Sequence, residues 1–74
     1  MKFTSAVNPQ THPVMGDNVS SLEIVSEDGA YYLFRISAKG RLLGDTWHQS
    51  IEEAMRQATN EFSVNPGDWM QVDD

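Results

Sequence analysis

The chain has 74 residues, a net charge of −6 and no cysteine. Its length allows one small domain, and the absence of cysteine excludes disulfides and thiolate zinc sites. The acidic excess lies in residues 45–74, which hold seven acids and one base, whereas residues 1–44 hold four of each. This distribution argues against a general duplex-binding surface and suits a basic partner, although it also favours solubility alone.

Residues 1–20 are predicted to form an irregular N-terminal arm, because prolines, glycine and asparagine interrupt any apolar periodicity. Residues 2–7 can nevertheless add a short strand at the edge of a sheet. No apolar run is long enough for a secretory signal or a membrane span, so a cytoplasmic protein is expected. A single α+β domain is expected over residues 21–72, followed by an acidic tail at residues 73–74.

The first ordered segments predict a β-hairpin. Leu22-Glu23-Ile24 alternates apolar and polar residues, and Asp28-Gly29 is a strong two-residue turn signal. The run from Tyr31 to Ser37 is rich in strand-forming residues. The face of this run that we expect in the core is wholly apolar and consists of Tyr32, Phe34 and Ile36. The face that we expect in water ends in arginine and consists of Tyr31, Leu33 and Arg35.

A third strand and one helix complete the predicted fold. Leu42 to Trp47 predicts the strand, with a bulge at Gly44 and with Trp47 buried against the helix. Ser50 is the predicted N-cap, and Glu53 completes a capping box. The apolar stripe of the helix consists of Ile51, Ala54, Met55, Ala58 and Phe62. The expected fold is therefore a three-stranded antiparallel meander with one amphipathic helix packed on one face (β-β-β-α), to which either terminus can add a short strand.

The segment after the helix predicts a reversal of the chain. Asn65-Pro66-Gly67-Asp68 has proline and glycine at the positions that a type II turn favours. This turn is expected to end the helix and to return Trp69 to the body of the domain. Met70-Gln71-Val72 can then form a short strand.

No group of residues predicts a reaction, a cofactor or a metal. His12 and His48 are the two imidazoles, and with Asp45 they are too few and too scattered for a zinc ligand set. Glu52 and Glu53 are adjacent on the helix, so their carboxylates diverge, and capping and the helix dipole account for both. The sequence also lacks a nucleophile elbow and a phosphate-binding glycine loop. We therefore expect a protein that is not an enzyme and that has no cofactor.

Two surfaces are candidates for binding a partner. The first combines aromatic and basic residues on the expected open face of the sheet and its adjoining turn: Tyr31, Leu33, Arg35, Lys39 and Arg41. Such a surface can bind a protein, or bind single-stranded nucleic acid by stacking its rings on bases and holding phosphates with its basic side chains. It can also simply face water. The second is the acidic face of the helix: Glu52, Glu53 and Glu61. We predict an interaction module with a protein partner, with single-stranded nucleic acid as the alternative, and an exposed sheet edge also allows a homodimer.

Three stretches resemble known families. Gly44 to Trp69, "GDTWHQSIEEAMRQATNEFSVNPGDW", resembles the C-terminal half of a group of small uncharacterised bacterial proteins, which implies no activity. The strand order with "GDT" and "IEEA" entering the helix is similar to the N-terminal domain of HicB-type antitoxins. That resemblance implies a partial ribonuclease-H-like fold and a regulatory, toxin-binding role. "EIVSEDGAYYLFRISAKGRLL" resembles the strand–strand–strand–helix repeat of YegP-like proteins, whose function is unclear. No residue's role is transferred from any of them.

Overall fold

The computed structural model describes residues 1–8 and 18–72. Its elements, in chain order, are β1 (Lys2–Ala6), β2 (Val19–Glu27), β3 (Ala30–Ser37), β4 (Leu42–His48), α1 (Ile51–Phe62), a 3₁₀ turn (Pro66–Asp68) and β5 (Met70–Val72). Within these residues the strands form one antiparallel sheet in the order β4-β3-β2-β1-β5, and α1 packs across β2, β3 and β4. The predicted α+β class and the meander followed by a helix are confirmed, but the sheet has five strands rather than three.

Both ends of the described chain add a strand to the predicted meander. β1 pairs with β2, and β5 pairs with β1 so that Lys2 lies opposite Val72. Instead of a wholly irregular arm over residues 1–20, the chain forms β1 there, and β2 begins at Val19, two residues before the expected start of the domain. Residues 9–17, which include His12, and the predicted acidic tail at residues 73–74 lie outside the described residues.

The turn between β2 and β3 sets the register of the hairpin. Asp28 and Gly29 both have positive φ, 52° and 79°, as a type I′ turn requires, and Glu27 pairs with Ala30. Counting back from this turn places Ile24 opposite Leu33 and Leu22 opposite Arg35. Residues directly opposite each other on neighbouring strands share a face of the sheet. The two-residue turn therefore commits Leu33 and Arg35 to the same face as Leu22 and Ile24.

The face of β3 that meets the core is the opposite of the predicted one. Leu22, Ile24 and Leu33 are at most 1% exposed, and Arg35 on the same face is 7% exposed. The predicted core set, Tyr32, Phe34 and Ile36, is half-buried and lies on the face turned away from α1. The prediction was wrong because it ranked the two faces by polarity alone, whereas the hairpin register and an ion pair described below decide the outcome.

The core lies between α1 and the sheet. Its buried apolar residues are Val19, Leu22, Ile24, Leu33, Leu43, Ala54, Ala58 and Val64. Leu43 reaches this core through a β-bulge, because Arg35 pairs with Gly44 and Ile36 with Leu42, which leaves Leu43 as the extra residue of β4. The buried side chains of α1 itself are the two alanines. Few large side chains fill this core, so a modest stability is expected.

The ends of α1 follow partly from the predicted signals. Ser50 is the N-cap, and its Oγ accepts a hydrogen bond of 3.2 Å from the backbone N–H of Glu53, one half of the predicted capping box. The helix ends at Phe62, where Ser63 adopts the left-handed conformation with φ 59°. The predicted type II turn is wrong. Pro66–Asp68 forms a 3₁₀ turn, in which the N–H of Asn65 donates to Asp68 Oδ2 at 2.9 Å.

Candidate protein-interaction surface

The aromatic and basic set predicted from the sequence does not form one surface. Tyr31 packs against the core, Leu33 is fully buried and Arg35 lies beneath α1. Lys39 and Arg41 stay exposed in the turn between β3 and β4. Tyr31 is at the opposite end of β3 from that turn, about 20 Å away at the usual rise of a strand. The structure therefore corrects this candidate site: three of its residues face the helix, and the two exposed bases lie apart from Tyr31.

Arg35 joins the sheet to the helix instead of facing a partner. Its guanidinium donates twice to the carboxylate of Glu61, from Nε at 3.0 Å and from Nη2 at 2.6 Å. Nη1 donates to the carbonyl oxygen of Leu33 and to Thr46 Oγ1, both at 3.3 Å. A bidentate arginine–carboxylate pair is the strongest type of charge-assisted hydrogen bonding in proteins. It allows a charged side chain to be buried among apolar neighbours.

The ion pair extends into a small polar cluster on the same face. Thr46 Oγ1 lies 2.8 Å from His48 Nε2, and the amide of Gln57 donates to Glu61 from one helical turn away. The hydrogen bonds donated by Arg35 hold the pKa of Glu61 below its ordinary value of 4.5, against the opposing effect of partial burial. The cluster therefore keeps Glu61 ionised and ties together β3, β4 and α1.

The predicted acidic face of the helix is only partly free. Glu52 and Glu53 are exposed in the first turn of α1, where the helix dipole favours negative charge. Glu61 is paired with Arg35, so its charge is already neutralised. The acidic surface that α1 offers to a basic partner is therefore restricted to the N-terminal end of the helix.

The sheet face opposite α1, here called the open face, carries an unusual number of apolar side chains. In chain order they are Val25, Tyr32, Phe34, Ile36, Leu42, Trp47, Met70 and Val72. Trp47 is 56% exposed, Leu42 54% and Met70 69%. An antiparallel sheet with one face in water normally presents polar residues there. The predicted burial of Trp47 against the helix is wrong, because its side chain points to this face.

The aromatic residues of the open face are neighbours. Trp47 lies directly opposite Tyr32 across the β3–β4 ladder, and the rings of Tyr32 and Phe34 stack with centroids 6.3 Å apart. Cross-strand neighbours on one face approach to about 5 Å between Cβ atoms. Tyr32, Phe34 and Trp47 therefore form a continuous aromatic patch, and this name is kept for them below.

Charged residues of the open face lie around the aromatic patch. Lys2 and Glu23 pair at 3.7 Å on β1 and β2, with about a third of each side chain exposed. Asp45 stands opposite Phe34 at the β4 edge and is exposed. Glu27 at the hairpin end of β2 shares this face, so the four charges sum to −2, a third of the net charge of the chain. The aromatic patch was missed by the sequence prediction, and the hairpin register was the signal that could have found it.

A groove on the opposite side of the molecule is the other concave feature of note. It has a volume of about 370 Å³ and is lined by Glu52, Met55, Arg56, Thr59 and Pro66, between α1 and the 3₁₀ turn. The exposed surface of its lining is almost entirely apolar. The groove therefore lacks the convergent polar groups that fix the orientation of a small ligand.

Neither a metal centre nor a spanning helix is present in the part of the chain that the structure describes. No three His, Asp or Glu side chains of residues 1–8 and 18–72 come together as ligands. The helix of this part is too short and too polar to cross a bilayer.

Compared with protein-family models, curated proteins and solved structures, the chain gives no match. The family resemblances drawn from the sequence therefore stay predictions.

Proposed function

We propose that this protein is a non-enzymatic interaction module that binds a protein partner through the open face. The observation that supports this proposal is the aromatic patch on the open face, in which Trp47 is 56% exposed and Tyr32 and Phe34 are half-buried. Tyrosine and tryptophan are the residues most enriched at the energetic centre of protein interfaces. Contiguous exposed apolar side chains on a small soluble domain also indicate an interaction site.

The arrangement of the patch matches the anatomy of an interface. Interfaces have an apolar, aromatic centre and a polar rim that stays in contact with water. Here the aromatic patch and Ile36 form the apolar part, whereas Glu23 and Asp45 flank Phe34 on the two neighbouring strands and Lys2 pairs with Glu23. The rigid sheet fixes the rings in place, so little conformational entropy is lost on binding.

Single-stranded nucleic acid is the alternative occupant of the same face. The aromatic rings could stack on bases, but binding also needs cations that hold phosphates. The basic side chain on the described open face is that of Lys2, and it is paired with Glu23. Lys39 and Arg41 lie in the turn between β3 and β4. The charges of this face therefore favour a protein partner.

The test compares capture of partners from the native lysate by the wild type and three variants, with and without nuclease. Phe34→Thr combined with Trp47→Thr removes the patch and keeps strand-forming side chains. Glu52→Lys combined with Glu53→Lys reverses the acidic end of the helix, and Glu52→Gln is the matched control. We expect the patch variant to lose nuclease-resistant partners at least tenfold, and the control to keep them.

Three other results would contradict the proposal. Equal capture by the wild type and the patch variant would exclude the open face. Loss with the charge-reversed variant alone would assign binding to the acidic helix end. Loss on nuclease treatment would assign it to nucleic acid. Circular dichroism of each variant checks that the fold is retained. We expect the patch variant to fold, because Trp47 is more than half exposed and Phe34 stacks on Tyr32 at the surface.

A further inference from the structure

We infer that the partner of the open face is a second copy of this chain, which forms a symmetric dimer with the two sheets packed face to face. This inference rests on the proposed function and names the occupant of the same surface. In the dimer each aromatic patch lies against the patch of the other copy, and the two α1 helices lie on the outside. The architecture is then helix, sheet, sheet, helix, with sheets about 10 Å apart.

The distribution of charge limits which faces of two copies can meet. The chain has a net charge of −6, so most approaches of two copies bring like charges together. The exposed acids Glu52 and Glu53 lie on α1, and Glu27 and Asp28 lie at the tip of the hairpin. The described open face has a net charge of −2, from Lys2, Glu23, Glu27 and Asp45, and Glu23 on its central strand is paired with Lys2. Packing of open faces therefore keeps the exposed acids of the two α1 helices, Glu52 and Glu53, far apart.

The size of the core gives a second argument. Four of the large side chains in the core of this domain are fully buried, Leu22, Ile24, Leu33 and Val19, and α1 contributes two alanines. Domains of this length without disulfides or metals often gain stability from association. A second copy is present whenever the chain is made, so it can bury the aromatic patch as part of folding.

The area of the open face indicates how strong the dimer is. The five strands hold 32 residues, each about 3.3 Å long and about 4.8 Å wide, which gives a projected area of about 500 Å². The accessible area of a side-chain-covered face exceeds its projection. It therefore reaches the scale of about 600 Å² per partner at which the smallest specific interfaces begin. We expect a dissociation constant in the micromolar range and a midpoint of thermal unfolding that rises with protein concentration.

Analytical ultracentrifugation over a concentration series tests the dimer. The wild type is expected to shift from 8.3 kDa towards twice that mass as concentration rises through the micromolar range. Phe34→Thr with Trp47→Thr should raise the dissociation constant at least tenfold, whereas the exposed-helix control Glu52→Gln should leave it unchanged. Intrinsic fluorescence gives a second readout, because Trp47 leaves water in the dimer while Trp69 already packs against the core. A blue shift with concentration that disappears in Trp47→Phe is expected.

Two outcomes overturn the dimer. One is a wild type that stays monomeric to millimolar concentration, and the other is a dimer that the patch variant leaves intact, which would then use another surface such as the β4 edge. The lysate comparison separates these outcomes from the proposed function. If a monomeric wild type captures a protein that the patch variant loses, the open face binds a different protein, so the inference fails and the proposed function stands.

Discussion

The two faces of the sheet differ in a way that contradicts a simple rule about polarity. The face beneath α1 buries an arginine, a histidine and two serines: Ser5, Arg35, Ser37 and His48. The open face leaves a tryptophan, a leucine and a methionine more than half exposed. The comparison shows that register and partners decide which face of a strand is buried. Side-chain polarity then determines which hydrogen-bond or ion-pair partners the buried face needs, and which kind of molecule the exposed face can bind.

The largest expected effect comes from comparing adjacent residues of β3. Leu33→Ala removes a fully buried side chain and should lower the free energy of unfolding by about 3 kcal/mol. Phe34→Ala removes a ring that stacks on Tyr32 at the surface and should cost about 1 kcal/mol. Urea denaturation at low protein concentration measures both values without a contribution from association. Equal costs for the two variants would contradict the assignment of faces.

The second prediction concerns the ion pair beneath the helix. Glu61→Gln should cost about 2–3 kcal/mol, less than the full loss of a buried pair because a third of the Glu61 side chain stays exposed. Arg35 is then left buried with a weaker, neutral acceptor. The matched control is Glu52→Gln, which removes the same charge from the exposed first turn of α1.

A double replacement sharpens the same prediction. Arg35→Met combined with Glu61→Leu removes both charges, so no unpaired guanidinium stays buried. This variant should be more stable than Glu61→Gln, although it contains two changes. If it is the less stable of the two, the pair contributes more through its own attraction than through the compensation of a buried charge.

The third prediction is a loss of stability in acid that depends on Glu61. Because the pKa of Glu61 is lower in the folded than in the unfolded chain, its ionised form stabilises the fold above about pH 4.5. This contribution is lost as the pH falls below 4.5 through the folded value. The difference in unfolding free energy between wild type and Glu61→Gln should therefore shrink from pH 7 to pH 3. A constant difference would show that Glu61 acts through packing alone.

The smallest of these effects is expected at the helix cap. Ser50→Ala removes the acceptor for the N–H of Glu53 and should cost about 1 kcal/mol, whereas Ser50→Asp should retain most of the stability. Because the cap supports the covered face only, the dissociation constant of the proposed dimer should stay unchanged at temperatures where the chain is folded. A large change in association would show that the two faces are coupled.

The parts of the fold that could be predicted depend on short stretches of sequence. The Asp28-Gly29 turn, the cap at Ser50 and the spacing of apolar residues in α1 are all local signals, and the structure confirms each of them. The pairing of β1 with β5 joins residues almost 70 positions apart. Alternation within three residues cannot establish such a pairing, so these strands could only be proposed.

The candidate site was mispredicted for a related reason. The sequence shows that Arg35 alternates with apolar residues, but its partner Glu61 is 26 residues away and on another element. Without that partner a buried arginine is unfavourable, so Arg35 was assigned to water together with Tyr31 and Leu33. The predicted two-residue turn already implied the correct faces, since it places Leu22 opposite Arg35. Combining the predicted turn with cross-strand pairing would have predicted that Tyr32, Phe34 and Trp47 share the open face.

The pairing of β1 with β5 also determines how the molecule responds to mechanical force. Lys2 and Val72, near the two ends of the described chain, lie directly opposite each other at one end of this ladder. Tension applied to both ends therefore opens the backbone hydrogen bonds of β1 and β5 one after another, as in a zipper, rather than loading them all at once in shear. The first event under load is the peeling of a three-residue strand. The meander and the face beneath α1 would initially stay intact.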